Sequence, residues 1–206
     1  INLPMKSHTH LAQDPVMARL IERFGKLRLA SGSSEPYAAL SEAVIYQQLN
    51  GKAASSIFGR FMEQLGGGEL PKPRHVLDAS DEALRAAGIS RNKAAALRDI
   101  ARHALDGRLP SRAACAKLSD DALIERLTDI RGIGRWTVEM FLIFNLGRPD
   151  VLPVDDLGVR KGYQAATAAR ELTAPKALAE IGRRWSPHRT LAALYLWRAA
   201  DETSGK

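Results

Sequence analysis

Two short stretches hold residues whose types and spacing could do chemistry. In "LTDIRGIGRWTVEMFL", Leu127 to Leu142, Gly132 and Gly134 flank an isoleucine between two helical patterns. The glycines permit a turn that side chains would block, and they leave its backbone bare. The following helix presents unpaired N–H groups near Gly134 and Arg135, and with the helix dipole these favour an anion. Arg131 and Arg135 add charge on either side. Such a turn can grip a nucleic-acid phosphate without reading sequence. Taken alone, Gly-x-Gly fits a plain helix–helix connection equally well. The second stretch, "LPVDDLGVRKG", Leu152 to Gly162, carries the adjacent carboxylates Asp155 and Asp156. An aspartate before a helix is ordinarily an N-cap. Asp155 suits that place for a helix beginning near Asp156, while a catalytic carboxylate is the other use of such a pair.

Composition narrows the partners. The chain has 206 residues, enough for one large domain or two lobes sharing a core. A formal net charge of +7 and a pI near 9.8 favour a polyanion over a neutral partner. No apolar run is long enough to span a bilayer, so no membrane role is expected. No signal peptide is visible, and the chain opens on Ile1 rather than Met, as a chain trimmed upstream would. The single Cys115 excludes an intrachain disulfide and a four-cysteine zinc or iron–sulfur site. His8, His10, His75, His103 and His188 have no metal-ligand spacing.

The elements that must position these stretches read as helix almost everywhere, since Ala and Leu abound and alternating β-branched runs are absent. Ser80 before "DEALRAAG" and Ser119 before "DDALIERL" are start signals, each with acids in the first turn. Ser186 with Pro187 reads as a third start, proline taking the first helical position. The pattern predicts helices near 15–26, 36–49, 52–65, 81–87, 91–106, 120–128, 135–146, 156–167, 175–185 and 187–201, with loops over 66–74 and 106–112. The segment 135–146 is apolar on nearly all sides and is expected to be central and buried.

The string "L-x-x-I-x-G-I-G-x-W-T", followed by "NLGRPDVLPVDDLGVRKG" from Asn145 to Gly162, resembles the hairpin and Gly/Pro-rich aspartate loop of helix–hairpin–helix DNA glycosylases. "LSEAVIYQQLNGKAASSIFGRF", "LRAAGISRNKAAALRDIA" and "WSPHRTLAALYLW" are similar to matching segments, in the same order, of the 3-methyladenine DNA glycosylase II family in bacteria and yeast. The resemblance covers roughly Tyr37 to Ala200. It implies an all-α protein of two helical lobes with the DNA cleft between them. One lobe would run over about 40–145 and end in the helix–hairpin–helix at 120–146; the other would join 1–39 to 146–206.

The resemblance also implies an activity: excision of alkylated purines, of the 3-methyladenine and 7-methylguanine type, from duplex DNA. Asp156 takes the catalytic place, with Asp155 as the fallback. Breaking an N-glycosidic bond builds positive charge on the deoxyribose, which a carboxylate stabilises while it orients or deprotonates water. Strand-cleaving relatives carry a Schiff-base lysine where Trp136 stands, and Arg135 cannot replace it, because guanidinium stays protonated. A monofunctional enzyme is therefore expected. The flipped base would meet Trp136, Trp197, Tyr46 and Met140, cationic purines preferring electron-rich ring faces. Each of these is also a plausible core residue. Gln48 or Leu49, in the corner closed by Asn50, would plug the gap in the duplex, although Leu49 also fits an ordinary core position.

Phosphate contacts would come from Gly132, Gly134, Arg135 and Thr137, and a Na+ or K+ ion would sit on carbonyls of Thr128, Ile130 and Gly132. Lys52, Arg91 and Lys93 read as solvated charge or as DNA-steering groups, and Trp185 as structural. No catalytic cofactor and no iron–sulfur cluster are expected. The expected partner is double-stranded DNA containing alkylated bases, bound by a monomer in the bacterial nucleoid region or the eukaryotic nucleus. A hairpin protein that binds damage without cutting, and a glycosylase for deaminated or oxidised bases, are the alternatives.

Overall fold

A computed structural model describes residues 5–204, and its regular structure there is entirely helical. In chain order the helices are α1 (Met5–Leu11), α2 (Pro15–Phe24), α3 (Pro36–Tyr46), α4 (Gly51–Gly66), α5 (Pro73–Asp78), α6 (Asp81–Ala86) and α7 (Arg91–Leu105). α8 (Arg112–Cys115), α9 (Asp120–Thr128), α10 (Arg135–Met140), α11 (Leu157–Thr167), α12 (Pro175–Gly182) and α13 (Arg189–Ser204) follow. A π-helical turn occupies Phe141–Asn145 and a 3-10 turn Arg183–Trp185.

Serines start many of these helices. Ser80, Ser90, Ser111 and Ser119 each accept from the amide three residues on, a bond that satisfies one of the unpaired donors of a first turn. Three expectations change. α1, α5 and α8 lie outside the predicted helices; α5 opens on Pro73 within a stretch that reads as loop, and α8 is a single turn. Pro187 precedes α13, which begins at Arg189, instead of opening it. The segment 135–146 is not buried all round: Trp136 is 45% and Phe144 43% exposed.

The chain divides into two compact units. One is Ser33–Phe141; the other runs through Gly32 and resumes at Leu142. In the Ser33–Phe141 unit, α7 is the centre, packed by α3, α5 and α6, while α9 and α10 form the hairpin pair. Leu40, Val44, Phe61, Leu97, Ile100, Leu123 and Leu127 are buried.

In the other unit, α11 and α2 pack on α13 around Trp185, Tyr195, Leu196, Val159 and Met17. The structural reading of Trp185 agrees with its complete burial. α11 and α13 come together at Gly162, where a Cβ would lie 1.8 Å from the Leu196 carbonyl oxygen, so only glycine fits. Tyr195 Oη donates to the Gly25 carbonyl at 2.7 Å and accepts from the Leu27 amide at 3.2 Å, which settles its buried hydroxyl.

The segment before α11 is fastened to the start of α13. Thr190 Oγ1 donates to the Arg148 carbonyl at 2.6 Å and accepts from the Val151 amide at 3.0 Å. The Asp150 carboxylate takes Ser186 Oγ at 2.8 Å, the Arg189 amide at 3.1 Å and the Arg189 guanidinium at 2.9 and 3.0 Å. Burial alone would raise the Asp150 pKa, but the bonds from Arg189 and Ser186 outweigh it and hold the group below its ordinary 3.8. A carboxylate depressed on folding stabilises fully above its unfolded pKa, and that stabilisation is lost as pH falls through the lower folded value. Asp150→Asn should therefore cost roughly 2 kcal/mol at pH 7 and much less at pH 3. Urea unfolding at the two pH values checks this; equal losses would contradict the ionised role.

Candidate active-site elements

The hairpin is mounted from beneath. Ile130 and Ile133 are buried, and the Arg131 amide donates to the Asp99 carboxylate of α7 at 2.9 Å. Gly132 has φ +79° and lies so near α7 that a Cβ would come within 2.9 Å of the Ala96 methyl. Both observations require glycine there. Gly134 starts α10 with no side-chain cap hydrogen bond. The Arg135 guanidinium pairs with the buried Glu139 carboxylate at 3.0 Å, so its charge is partly balanced. Thr137 is buried, and its hydroxyl accepts from Gln47 Nε2 at 3.3 Å.

α3 stops at Tyr46, earlier than the expected end at 49. Gln48 then adopts φ +58°, a left-handed conformation uncommon for a residue with a Cβ. Leu49 is 39% exposed, which removes the reading of it as core. Asn50 is a structural cap, its Oδ1 accepting from the Ala53 amide at 2.9 Å. Lys93 is not a free steering charge: its ammonium donates to the carbonyls of Ile45 at 2.7 Å and Gln47 at 2.9 Å.

A cleft of about 570 Å³ lies within the Ser33–Phe141 unit, lined by Ala43, Tyr46, Gln47, Gln48, Leu49, Trp136, Thr137 and Met140. It gathers three of the four residues assigned to base contact and both plug candidates. Trp136 and Met140 share a helix face at four-residue spacing. Tyr46 is steadied by an edge contact with Phe58.

The fourth assigned residue, Trp197, belongs to the other unit, beside Asp156. Asp156 caps α11, its Oδ1 accepting from the Val159 amide at 2.8 Å; the cap is therefore this residue and not Asp155. Trp197 Nε1 donates to the same oxygen at 2.8 Å. The indole lies against Phe144 with ring centroids 5.6 Å apart. Gly158 makes this possible, because a Cβ there would sit 2.9 Å from Trp197 Cδ1 and 3.0 Å from Asp156 Oδ1. Arg198 lies over the Phe24 ring.

Residues 41–188 match the family described as HhH-GPD superfamily base excision DNA repair protein. The chain belongs to this superfamily. A relative named DNA-3-methyladenine glycosylase 1, from Schizosaccharomyces pombe, is 40% identical over 95% of this chain and 87% of its own. The structure of that yeast 3-methyladenine DNA glycosylase in complex with abasic DNA superposes with a TM-score of 0.84, covering 94% of this chain and 96% of that one at 40% identity. A DNA-3-methyladenine glycosidase from Bacillus halodurans gives a TM-score of 0.87 at 40% identity, covering 99% and 93%.

For an HhH-GPD hairpin, the carbonyls offered to a monovalent cation can be tested for fit. Ile130 O accepts from the Ile133 amide at 3.1 Å, and Gly132 O from Gln47 Nε2 at 3.1 Å. Each of these two carbonyls keeps a second lone pair. Sequence reasoning missed three residues of this HhH-GPD chain that the geometry singles out: Gln47, Gly158 and, in its actual role, Lys93. The small residue two after Asp156 was the available signal for Gly158. Nothing in the sequence pointed to the other two.

Gly158→Ala tests the contact. Alanine favours helix by about 1 kcal/mol over glycine, but its methyl would crowd the Trp197 ring and the Asp156 cap, so a modest net loss of stability is expected. The new methyl should push Trp197 from Asp156 and slow base release from methylated DNA by about tenfold. Single-turnover assays beside thermal melts check this; an unchanged rate would refute the importance of the Trp197–Asp156 bond.

Proposed function

We propose that this HhH-GPD protein is a monofunctional DNA glycosylase that releases alkylated purines, of the 3-methyladenine and 7-methylguanine type, from duplex DNA. The observation that carries the reading is the Asp156 carboxylate, fixed through one oxygen by a helix amide and an indole N–H. A hairpin protein that merely bound damage would have no use for a carboxylate so held beside a polyanion.

In this reading the hairpin amides at Gly132 and Gly134 and the Arg135 charge hold the backbone, and a Na+ or K+ ion on the Thr128, Ile130 and Gly132 carbonyls adds to that grip. Gln48 or Leu49 fills the gap left by the extruded base. The base stacks on Trp136, Tyr46 and Met140 in the 570 Å³ cleft. An alkylated purine is already cationic and leaves readily, so no strong general acid is required. As the bond to the sugar breaks, Asp156 stabilises the positive charge on the deoxyribose and orients the attacking water. Trp197 acts as a positioning residue for that carboxylate. Trp136 offers no amine, so water is the nucleophile and the product is an intact strand with an abasic site. No catalytic cofactor takes part.

Asp156→Asn should retain binding to abasic-site DNA while slowing base release at least about a hundredfold. Near-wild-type turnover on methylated duplex would refute the assignment, and loss of all release by the wild-type protein would refute the reading as a whole. Borohydride added during turnover should trap no protein–DNA adduct; a covalent adduct would show amine catalysis instead.

A further inference from the structure

Gln47, which lines the cleft, is held from two directions. Its main-chain carbonyl takes the Lys93 ammonium at 2.9 Å, and the same ammonium takes the Ile45 carbonyl at 2.7 Å. A cation on the last carbonyls of a helix satisfies acceptors that have no helical partner and meets the negative end of the dipole. This clamp stands where α3 ends, without glycine or proline to end it. The very next residue is Gln48 with φ +58°. Departure from ordinary backbone geometry persists only where surrounding contacts over-determine it. The Lys93 clamp on one side and the Asn50 cap on the other are such contacts.

The Gln47 side chain points the other way. Its Nε2 donates to the Gly132 carbonyl at 3.1 Å and to Thr137 Oγ1 at 3.3 Å, touching the hairpin turn and the first turn of α10. One residue thus ties together the hairpin, the end of α3 and, through Lys93, the start of α7. Its amide gives the exposed corner Gln48–Leu49 a directional, polar tie to the hairpin.

We infer that Gln47, clamped by Lys93, is a positioning residue that sets the Gln48–Leu49 corner at a fixed place relative to the hairpin, so that gripping a phosphate and filling the duplex gap occur as one event. The inference rests on the reading of that corner as a plug. It assigns Gln47 no contact with the reacting atoms. It makes the amide, not merely the apolar surface around it, the requirement.

Gln47→Met keeps length and volume and removes the amide. The probe is a duplex with a tetrahydrofuran abasic site opposite 2-aminopurine, whose fluorescence rises when the gap is filled and the opposite base unstacks. Gln47→Met should reduce that rise at saturating protein, and should lower single-turnover base release on methylated DNA by about tenfold. Affinity for undamaged duplex, which reports the hairpin, should change less than about threefold. Lys93→Met should act in the same direction, and the double variant should lose little more than either alone, since both act through one corner. Should Gln47→Met melt before assay, Lys93→Met carries the same comparison.

An unchanged fluorescence rise would overturn the inference. So would additive losses, or parallel losses of affinity, rate and melting temperature, which mark a merely structural bond. The fluorescence readout needs no base release. Absence of release by the wild-type protein would therefore sink the enzymatic reading and leave the positioning inference to be decided on its own.

Discussion

In the proposed reading a carboxylate serves a developing cation best when its direction is fixed, and Oδ1 of Asp156 meets that condition. Two donors, the Val159 amide and the Trp197 indole, reach that single oxygen at 2.8 Å. A capping bond alone fixes a side chain to its own helix. The indole fixes it to a second helix, so rotation about the Asp156 side chain breaks one bond or the other. Both donors are neutral, and together they set the direction in which the carboxylate points. The arrangement requires α11 and α13 to touch, and this is why two glycines of α11 face α13: Gly162 admits the Leu196 carbonyl and Gly158 admits the indole edge. The loop before α11 is constrained from the same side, by Thr190 and by the Asp150–Arg189 pair at the start of α13. α13 serves as the spine on which the acid is mounted.

The Ser33–Phe141 unit meets a different demand, bare backbone presented without collapse. The hairpin resolves it by burying Ile130 and Ile133 while the chain around them stays exposed. Asp99 takes the Arg131 amide from below, and the same carboxylate pairs with Arg102 at 2.9 Å, which keeps its charge balanced. The glycine at 132 is required by φ and by the Ala96 methyl alike. A turn built in this way has little freedom left to lose, which in the proposed function would lower the entropic cost of gripping a backbone.

The sequence made the helices legible wherever an acid-rich first turn followed a serine, as at Ser80 and Ser119, because capping is a local bond among neighbouring residues. It hid α5 and α8, which are too short to show a helical period and begin among prolines and glycines. It misplaced the end of α3, because nothing in "YQQLN" stops a helix; the stop is Lys93, forty-six residues from the carbonyl of Gln47 that it binds. The cap at Asp156 was assigned to its neighbour, since either aspartate satisfies the local pattern and only the distant indole distinguishes them. Hairpin, acid and aromatic residues were readable by type. Gln47 was not, since a glutamine that bonds a carbonyl eighty-five residues away leaves no local trace.

Trp136 shows most directly how type and environment must be read together. A run such as "WTVEMFLIF" predicts burial, and burial would make the tryptophan ordinary core. Nearly half of its surface is instead exposed, in a cleft that also presents Leu49 and Tyr46. Exposed apolar surface concentrated in one concavity costs solvation free energy that a monomer gains nothing from, unless something flat and apolar covers it. An unstacked base has such a face, and one carrying a positive charge gains further from the indole quadrupole. The ring also occupies, by resemblance, the position from which an amine would attack the sugar. In the proposed function a single side chain would both stack on a cationic base and, lacking an amine, leave the displacement to water.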